Sequence, residues 1–135
     1  MAKEHELKYI YFELLNLLDK QVIYDLRLNM RLGKNMVATQ GPKNLIDAEL
    51  DMAFSDGKNL YIVECKSGEL KDKGVLTTLS TNTQIFGGSN AKCILISSDD
   101  NLGPSIQEKI KILNIKFIFK DFKENIENYL NDFRH

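Results

Sequence analysis

Apolar and polar residues recur along the first half of the chain at two different spacings. Residues 4–18 carry a wide apolar stripe at helical spacing, which predicts a first helix. Residues 22–32 alternate between apolar and polar side chains, as expected of a half-buried strand. Two more strands are predicted at residues 46–54 and 60–66, and the turn-forming residues 55–59 between them predict a hairpin.

The second half of the chain alternates between helical and strand patterns. Helices are predicted at residues 74–86, 104–113 and 121–133, and strands at residues 92–98 and 116–119. The complete order is therefore α-β-β-β-α-β-α-β-α. This order is typical of an α/β three-layer sandwich, in which a mixed central sheet is flanked by helices.

The sense of the strands follows from how they are connected. The hairpin of the first half is expected to be antiparallel, and the later strands, joined through helices, are expected to be parallel. The strand at residues 60–66 is apolar on both faces until Glu64, which favours a central position in the sheet.

Size and composition indicate an ordinary globular protein. The chain has 135 residues, of which 43% are hydrophobic and 27% charged, and we expect a single domain over residues 1–135. No apolar run approaches the roughly 20 residues of a membrane helix. The charged N-terminus lacks a cleavage site, so a cytoplasmic protein without membrane contact is expected.

Cysteine content and net charge limit the possible chemistry. Cys65 and Cys93 lie in separate apolar strands, so they are predicted to be buried free thiols of a reducing compartment. The formal net charge is −1. Nucleic-acid binders are usually basic, so any contact with phosphates must come from a local patch or from metal ions held by acidic residues.

Acidic residues and a lysine come together on the predicted hairpin. Side chains alternate between the two faces of a strand, so Glu49 and Asp51 share a face of the first hairpin strand. Glu64 and Lys66 share a face of the second strand. The short turn makes the strands pair, and their polar faces can then lie side by side.

This set of residues suits phosphodiester hydrolysis. Close carboxylates repel unless a cation lies between them, and hard oxygen ligands favour Mg²⁺ or Mn²⁺. A metal held by Asp51 and Glu64 would polarise the phosphate and lower the pKa of a bound water. Lys66 can hold the attacking water and offset charge in the transition state. We therefore predict that Asp51, Glu64 and Lys66 are catalytic.

A single Glu–Lys pair is usually a surface ion pair worth under about 1 kcal/mol. Glu64 and Lys66, however, end an otherwise apolar strand, where charges are costly.

Asp51 followed by Glu64-Cys65-Lys66 after a hairpin resembles the motif of the PD-(D/E)xK nuclease superfamily. That resemblance implies a restriction-endonuclease-like form of the three-layer sandwich.

A narrower resemblance covers most of the chain. Residues 50–54, 60–68 and 86–88, the last before the apolar run 94–98, are similar to the nuclease domain of the CRISPR ancillary nucleases activated by cyclic oligoadenylate. The resemblance implies a divalent-metal endonuclease of DNA, RNA or both that acts in antiviral defence, usually as a homodimer. Those nucleases also have a CARF sensor domain, for which this chain has no room, so regulation by a cyclic nucleotide is not carried over.

The resemblance also implies further metal ligands. The family pattern places a glutamate on the first helix, where Glu13 interrupts an apolar stretch of this chain, and the alternative is a surface position beside the stripe. The backbone carbonyl of Cys65 is a further implied ligand, beside the carboxylates of Asp51 and Glu64.

Contacts with the substrate are assigned to polar residues near the hairpin. Arg27 and Arg31 share the polar face of the strand before it, and Lys71 and Lys73 follow the catalytic strand. They can hold phosphates on either side of the scissile one, although each can equally belong to a solvated charged face. Gln84, on the following helix, is a further candidate.

Two other functions remain open. One is a non-catalytic module that binds nucleic acid or assists assembly, against which the complete Asp–Glu–Lys set argues. The other is a structure-selective enzyme such as a Holliday-junction resolvase, for which a strongly basic dimer face is expected. The apolar final segment, residues 117–133, can contribute to a dimer.

Overall fold

A computed structural model describes most of the chain. It describes the backbone of residues 2–33, 46–66, 70, 73–88, 90–97 and 99–133. Side chains are described for residues 9–27, 52–66, 70, 73–88, 90–97 and 99–133.

Helices and strands follow one another in the predicted order. The helices are α1 (Ala2–Asp19), α2 (Lys73–Gly87), α3 (Pro104–Ile112) and α4 (Phe122–Asn131). The strands are β1 (Tyr24–Gly33), β2 (Ile46–Ser55), β3 (Leu60–Lys66), β4 (Lys92–Ser97) and β5 (Ile115–Ile118). None of the helices in the described ranges is both long and apolar enough to cross a bilayer.

The strands form one mixed sheet in the order β1-β2-β3-β4-β5. β2 pairs with β1 and with β3 in the antiparallel sense, and β4 pairs with β3 and with β5 in the parallel sense. β3 therefore lies at the centre, where the antiparallel half of the sheet meets the parallel half. The predicted three-layer α/β sandwich, including the central position of β3, is confirmed.

Two hydrophobic cores cover the two faces of the sheet. Alternate residues of β3 supply both, since Tyr61, Val63 and Cys65 belong to the core beneath α1 and α4, while Ile62 belongs to the core beneath α2 and α3. All four residues have 0% exposure. Burying each large apolar side chain contributes about 1.5–3 kcal/mol, so β3 is held firmly from both sides.

The β2–β3 hairpin is closed by the carboxylate of Asp56. Its Oδ1 accepts hydrogen bonds from the backbone N–H groups of Lys58 (2.9 Å) and Asn59 (2.7 Å). Its Oδ2 accepts a hydrogen bond from the hydroxyl of the buried Tyr61 at 2.7 Å. Gly57 has φ of +89°, a conformation that glycine adopts without strain. Hydrogen bonds to Asp56 thereby connect the turn to strand β3.

An aromatic cluster secures the same end of β3. The ring of Tyr61 stacks on Phe54 of β2, with 5.0 Å between centroids, and meets Tyr129 of α4 edge-on at 6.1 Å. Such pairs contribute about 0.5–1.5 kcal/mol beyond the burial of their surface. The cluster fixes β2, β3 and α4 relative to one another.

We expect the Asp56–Tyr61 hydrogen bond to contribute measurably to stability. Asp56→Ala should destabilise the protein by about 1–3 kcal/mol, because it removes a charged acceptor from three donors. Tyr61→Phe should cost about 1 kcal/mol. Urea unfolding of both single variants and the double variant gives the coupling energy. Additive losses would show that the bond is not formed in solution.

Candidate active site at the end of the central strand

The predicted catalytic residues Glu64 and Lys66 lie at the carboxyl end of β3. The Nζ of Lys66 is 3.6 Å from Oε1 of Glu64, and the side chains are 35% and 16% exposed, respectively. The two charges therefore form an ion pair that is partly exposed to solvent. The structure brings these two predicted residues together.

The strand period explains how a buried strand carries this pair. Cys65, between the two charged residues, has 0% exposure and belongs to the core beneath α1 and α4. Glu64 and Lys66 therefore project to the side of α2 and α3. In agreement, Glu64 acts electrostatically on Cys93, which belongs to the core on that side.

β2 brings the third predicted catalytic residue to the same part of the sheet. Met52 of β2 is paired with Val63 of β3, and Asp51 and Glu64 are the next residues along these two antiparallel strands. The backbone of Asp51 is thus placed beside the candidate site. Its side chain lies outside the described residues.

Glu13, the predicted additional ligand, lies on α1, which covers the face of the sheet opposite to the side of Glu64 and Lys66. One oxygen of its carboxylate is unusual. Its Oε2 is buried and has no hydrogen-bond partner among the described residues. Burying a carboxylate oxygen without a partner is costly, and a bound cation would remove that cost. Among the described side chains, no three His, Cys, Asp or Glu residues form a group that could hold a metal ion. The side chain of Asp51 is not among them.

The predicted substrate-binding residues are distributed over the surface. Arg27 is exposed on β1, where it pairs with Ala53 of β2, and Lys73 is exposed at the first position of α2. The side chain of Arg31, in β1, and the whole of Lys71 lie outside the described residues.

Gln84 lies far from the ion pair. It lines a cavity of about 120 Å³ together with Lys92, the first residue of β4. Lys66 instead pairs with Ser97, the last residue of β4. At about 3.3 Å per residue, the two ends of β4 are separated by most of the height of the sheet. The structure therefore does not bring Gln84 to the candidate catalytic residues.

Two polar residues of α2 face the sheet and were not predicted. Ser80 is 8% exposed and Thr83 is 3% exposed, and the Thr83 hydroxyl donates to the carbonyl of Leu79 at 2.7 Å. They follow the buried Leu76 at helical spacing. A prediction of the buried face of α2 that included small polar residues would therefore have identified them.

Cys93 lies next to Thr83 in this layer. The pKa of the Cys93 thiol is raised to about 12, chiefly by burial, while hydrogen bonding with Thr83 opposes the shift and the negative charge of Glu64 adds to it. The thiol is therefore neutral at physiological pH and is not a nucleophile.

Comparison with known proteins gives a structural result and no sequence match. No protein-family model matches the chain, and no curated protein is similar to it in sequence. Can2 from Sulfobacillus thermosulfidooxidans, solved in complex with cyclic tetra-adenylate, superimposes with a TM-score of 0.77 at 16% identity, over 96% of this chain. The fold is shared with Can2.

A second structure has the same fold. Protein VC1899 from Vibrio cholerae superimposes with a TM-score of 0.72 at 23% identity, over 90% of this chain. The match covers 36% of the Can2 chain and 32% of VC1899. The present chain thus spans about a third of the length of either protein.

Both thiols should be protected in the folded protein. Cys65 and Cys93 are buried thiols, with exposures of 0% and 6%, and the raised pKa of Cys93 leaves almost no thiolate at pH 8. Ellman's reagent should therefore react with neither cysteine in buffer and with both in guanidinium chloride. Rapid reaction of one thiol in buffer would contradict the packing described above.

Proposed function

We propose that the chain is a divalent-metal-dependent endonuclease that hydrolyses phosphodiester bonds in DNA, RNA or both. The observation that carries the proposal is the Glu64–Lys66 ion pair at the carboxyl end of the central strand. Asp51 on the neighbouring strand completes the proposed catalytic set.

Stability alone does not account for this pair. A partly exposed ion pair contributes under about 1 kcal/mol, while apolar residues at the end of a strand buried on both faces would contribute more. The pair also lies where ligands usually bind in sheets with parallel strands, at the carboxyl ends of those strands. A functional role is therefore the better explanation.

Each residue has a distinct part in the proposed reaction. Asp51, Glu64 and the Cys65 carbonyl would hold Mg²⁺ or Mn²⁺, consistent with the oxygen ligands that these ions prefer. Glu13 lies on α1, which covers the opposite face of the sheet, so it would have to reach the ion around the end of β3. The ion supplies Lewis-acid activation of the scissile phosphate. Lys66 orients the attacking water and offsets the negative charge that develops on the phosphate.

Basic residues assigned from the sequence would extend the substrate site. Arg27, Arg31, Lys71 and Lys73 are assigned to phosphates on either side of the scissile bond. Gln84, at the far end of α2, can contact only a more distant part of the substrate.

The biological setting is part of the proposal. Similarity to Can2, whose complex contains cyclic tetra-adenylate, supports the resemblance of the sequence to CRISPR ancillary nucleases. We therefore propose an antiviral role in the cytoplasm and action as a homodimer.

Removing either charge of the pair should abolish cleavage without unfolding the protein. Glu64→Gln and Lys66→Ala should each reduce the rate at least about a hundredfold, because electrostatic and acid–base contributions of this kind are commonly worth 10²–10⁴-fold. The assay uses labelled single-stranded RNA, single-stranded DNA and supercoiled plasmid, with Mn²⁺, Mg²⁺ or EDTA.

The controls change the same residue types at exposed positions of α3. Glu108→Gln and Lys111→Ala should retain the activity of the unchanged protein, since both side chains are solvent-exposed. Absence of metal-dependent cleavage by a folded, dimeric wild-type protein would refute the nuclease proposal and favour the non-catalytic binding module. Cleavage that survives Lys66→Ala would refute the assigned role of Lys66.

Glu13 allows a test that does not depend on activity. Glu13→Gln should leave the melting temperature in EDTA unchanged or raise it, because the variant replaces a buried charged oxygen that has no described partner. Mn²⁺ should raise the melting temperature of the wild type more than that of the variant, since a ligand that binds only the folded state stabilises it. Equal shifts would exclude Glu13 from the metal site.

A further inference from the structure

A groove made of two joined cavities lies on the α1 and α4 side of the sheet, opposite to the side of Glu64 and Lys66. The larger cavity, of about 480 Å³, is lined by apolar side chains that belong to the core on the α1 and α4 side. The smaller cavity, of about 350 Å³, shares Tyr9, Asp121 and Phe122 with the larger one. The two cavities therefore form one continuous depression, which the proposed chemistry does not use.

The centre of the groove is apolar and partly exposed to solvent. The ring of Tyr9 is 55% exposed and that of Phe119 is 37% exposed. The buried residues Ile10, Ile96 and Ile118 line the same cavity. Exposed apolar patches of this kind mark interaction surfaces, and aromatic residues are enriched at the centres of protein–protein interfaces.

Charged residues of both signs surround the apolar centre. They are two lysines and three acidic residues, namely Lys120, Lys123, Asp121, Glu124 and Glu127. Among the described parts of the chain, none of these five side chains forms an ion pair. Asp121 is also the N-cap of α4, but its side chain makes no capping hydrogen bond. The charges around the groove are thus available to a partner.

A groove with this charge pattern fits a partner that also carries both signs. The three carboxylates would repel a phosphate backbone, and a strongly basic or strongly acidic partner would meet residues of its own sign. In a two-fold symmetric dimer, the same patch lies on both sides of the interface. The lysines of one copy can then meet carboxylates of the other. A second copy of this chain is therefore the occupant that matches the groove best.

We propose that this groove is the surface through which two copies of the chain form a homodimer. The rings of Tyr9 and Phe119 form its apolar centre, and the five charged residues form its rim. The inference rests on the proposed function only for the existence of a homodimer, and it adds the surface that the two copies share.

Sedimentation equilibrium of the full chain gives the Kd of the dimer without an assay of cleavage. Phe119→Asp should raise this Kd at least about tenfold, because the variant places a charge in the apolar centre of the interface. Ile112→Asp is the matched control and should leave the Kd unchanged. Ile112 is 70% exposed and belongs to α3, which covers the other side of the sheet.

Exchange of charges tests whether the two copies pair through the rim. The acidic variant combines Lys120→Glu with Lys123→Glu, and the basic variant combines Glu124→Lys with Glu127→Lys. Each variant alone should dimerise at least about tenfold more weakly than the wild type, because like charges then face each other. An equimolar mixture of the two should form a heterodimer with a Kd within about threefold of the wild-type value, because opposite charges face each other again. Circular dichroism checks that each variant is folded.

The possible failures are distinguishable from one another. Dimers that persist with the wild-type Kd in all three variants, or a mixture that forms no heterodimer, would overturn this interface alone. A wild type that stays monomeric up to about 0.1 mM, a concentration at which even micromolar dimers form, would overturn both the interface and the homodimer of the proposed function. Neither result changes the test of the nuclease reaction, which depends on cleavage and its loss in Lys66→Ala.

Discussion

The burial of β3 on both faces is the constraint on which the rest of the structure depends. Two cores press on this strand from opposite sides, and it is paired along both edges, with β2 in one sense and with β4 in the other. A strand in this position can carry charged residues only near its ends, where burial is incomplete. Glu64 and Lys66 are at the carboxyl end of β3, and their side chains are 16% and 35% exposed.

The order of elements could be predicted from sequence because burial imposes a different period on each type of element. The predicted bounds of β3, residues 60–66, are the observed ones, since only the charged pair interrupts the apolar run of this strand. Intrinsic propensity supports the helix α2 only weakly, because its four threonines are poor helix formers. In the structure Thr83 is buried and bonded to the preceding turn, so packing against the sheet outweighs intrinsic propensity.

Only those parts of the candidate site that lie close together in sequence could be predicted. Glu64 and Lys66 are two residues apart on one strand, and the strand period alone places them together. Gln84 was assigned to substrate binding because it lies on the helix that follows the catalytic strand. The sequence did not show that this position of the helix packs near the opposite end of the sheet. Tyr9 and Phe119 are separated by almost the whole chain, so their meeting at one cavity depends on the order of strands and on how α1 crosses the sheet. No periodicity contains that information.

The turn closed by Asp56 fixes the pairing register of the central strand β3. Four residues join β2 to β3, and three donors converge on one carboxylate at that corner. A slip of β3 by a single position would exchange its two faces, so that Cys65 would take the place of the charged residues and both charges would enter the core beneath α1 and α4. The turn thus determines which side chains β3 presents at its carboxyl end. An insertion or deletion of one residue in the turn would shift the register of β3 and remove Glu64 and Lys66 from the candidate site.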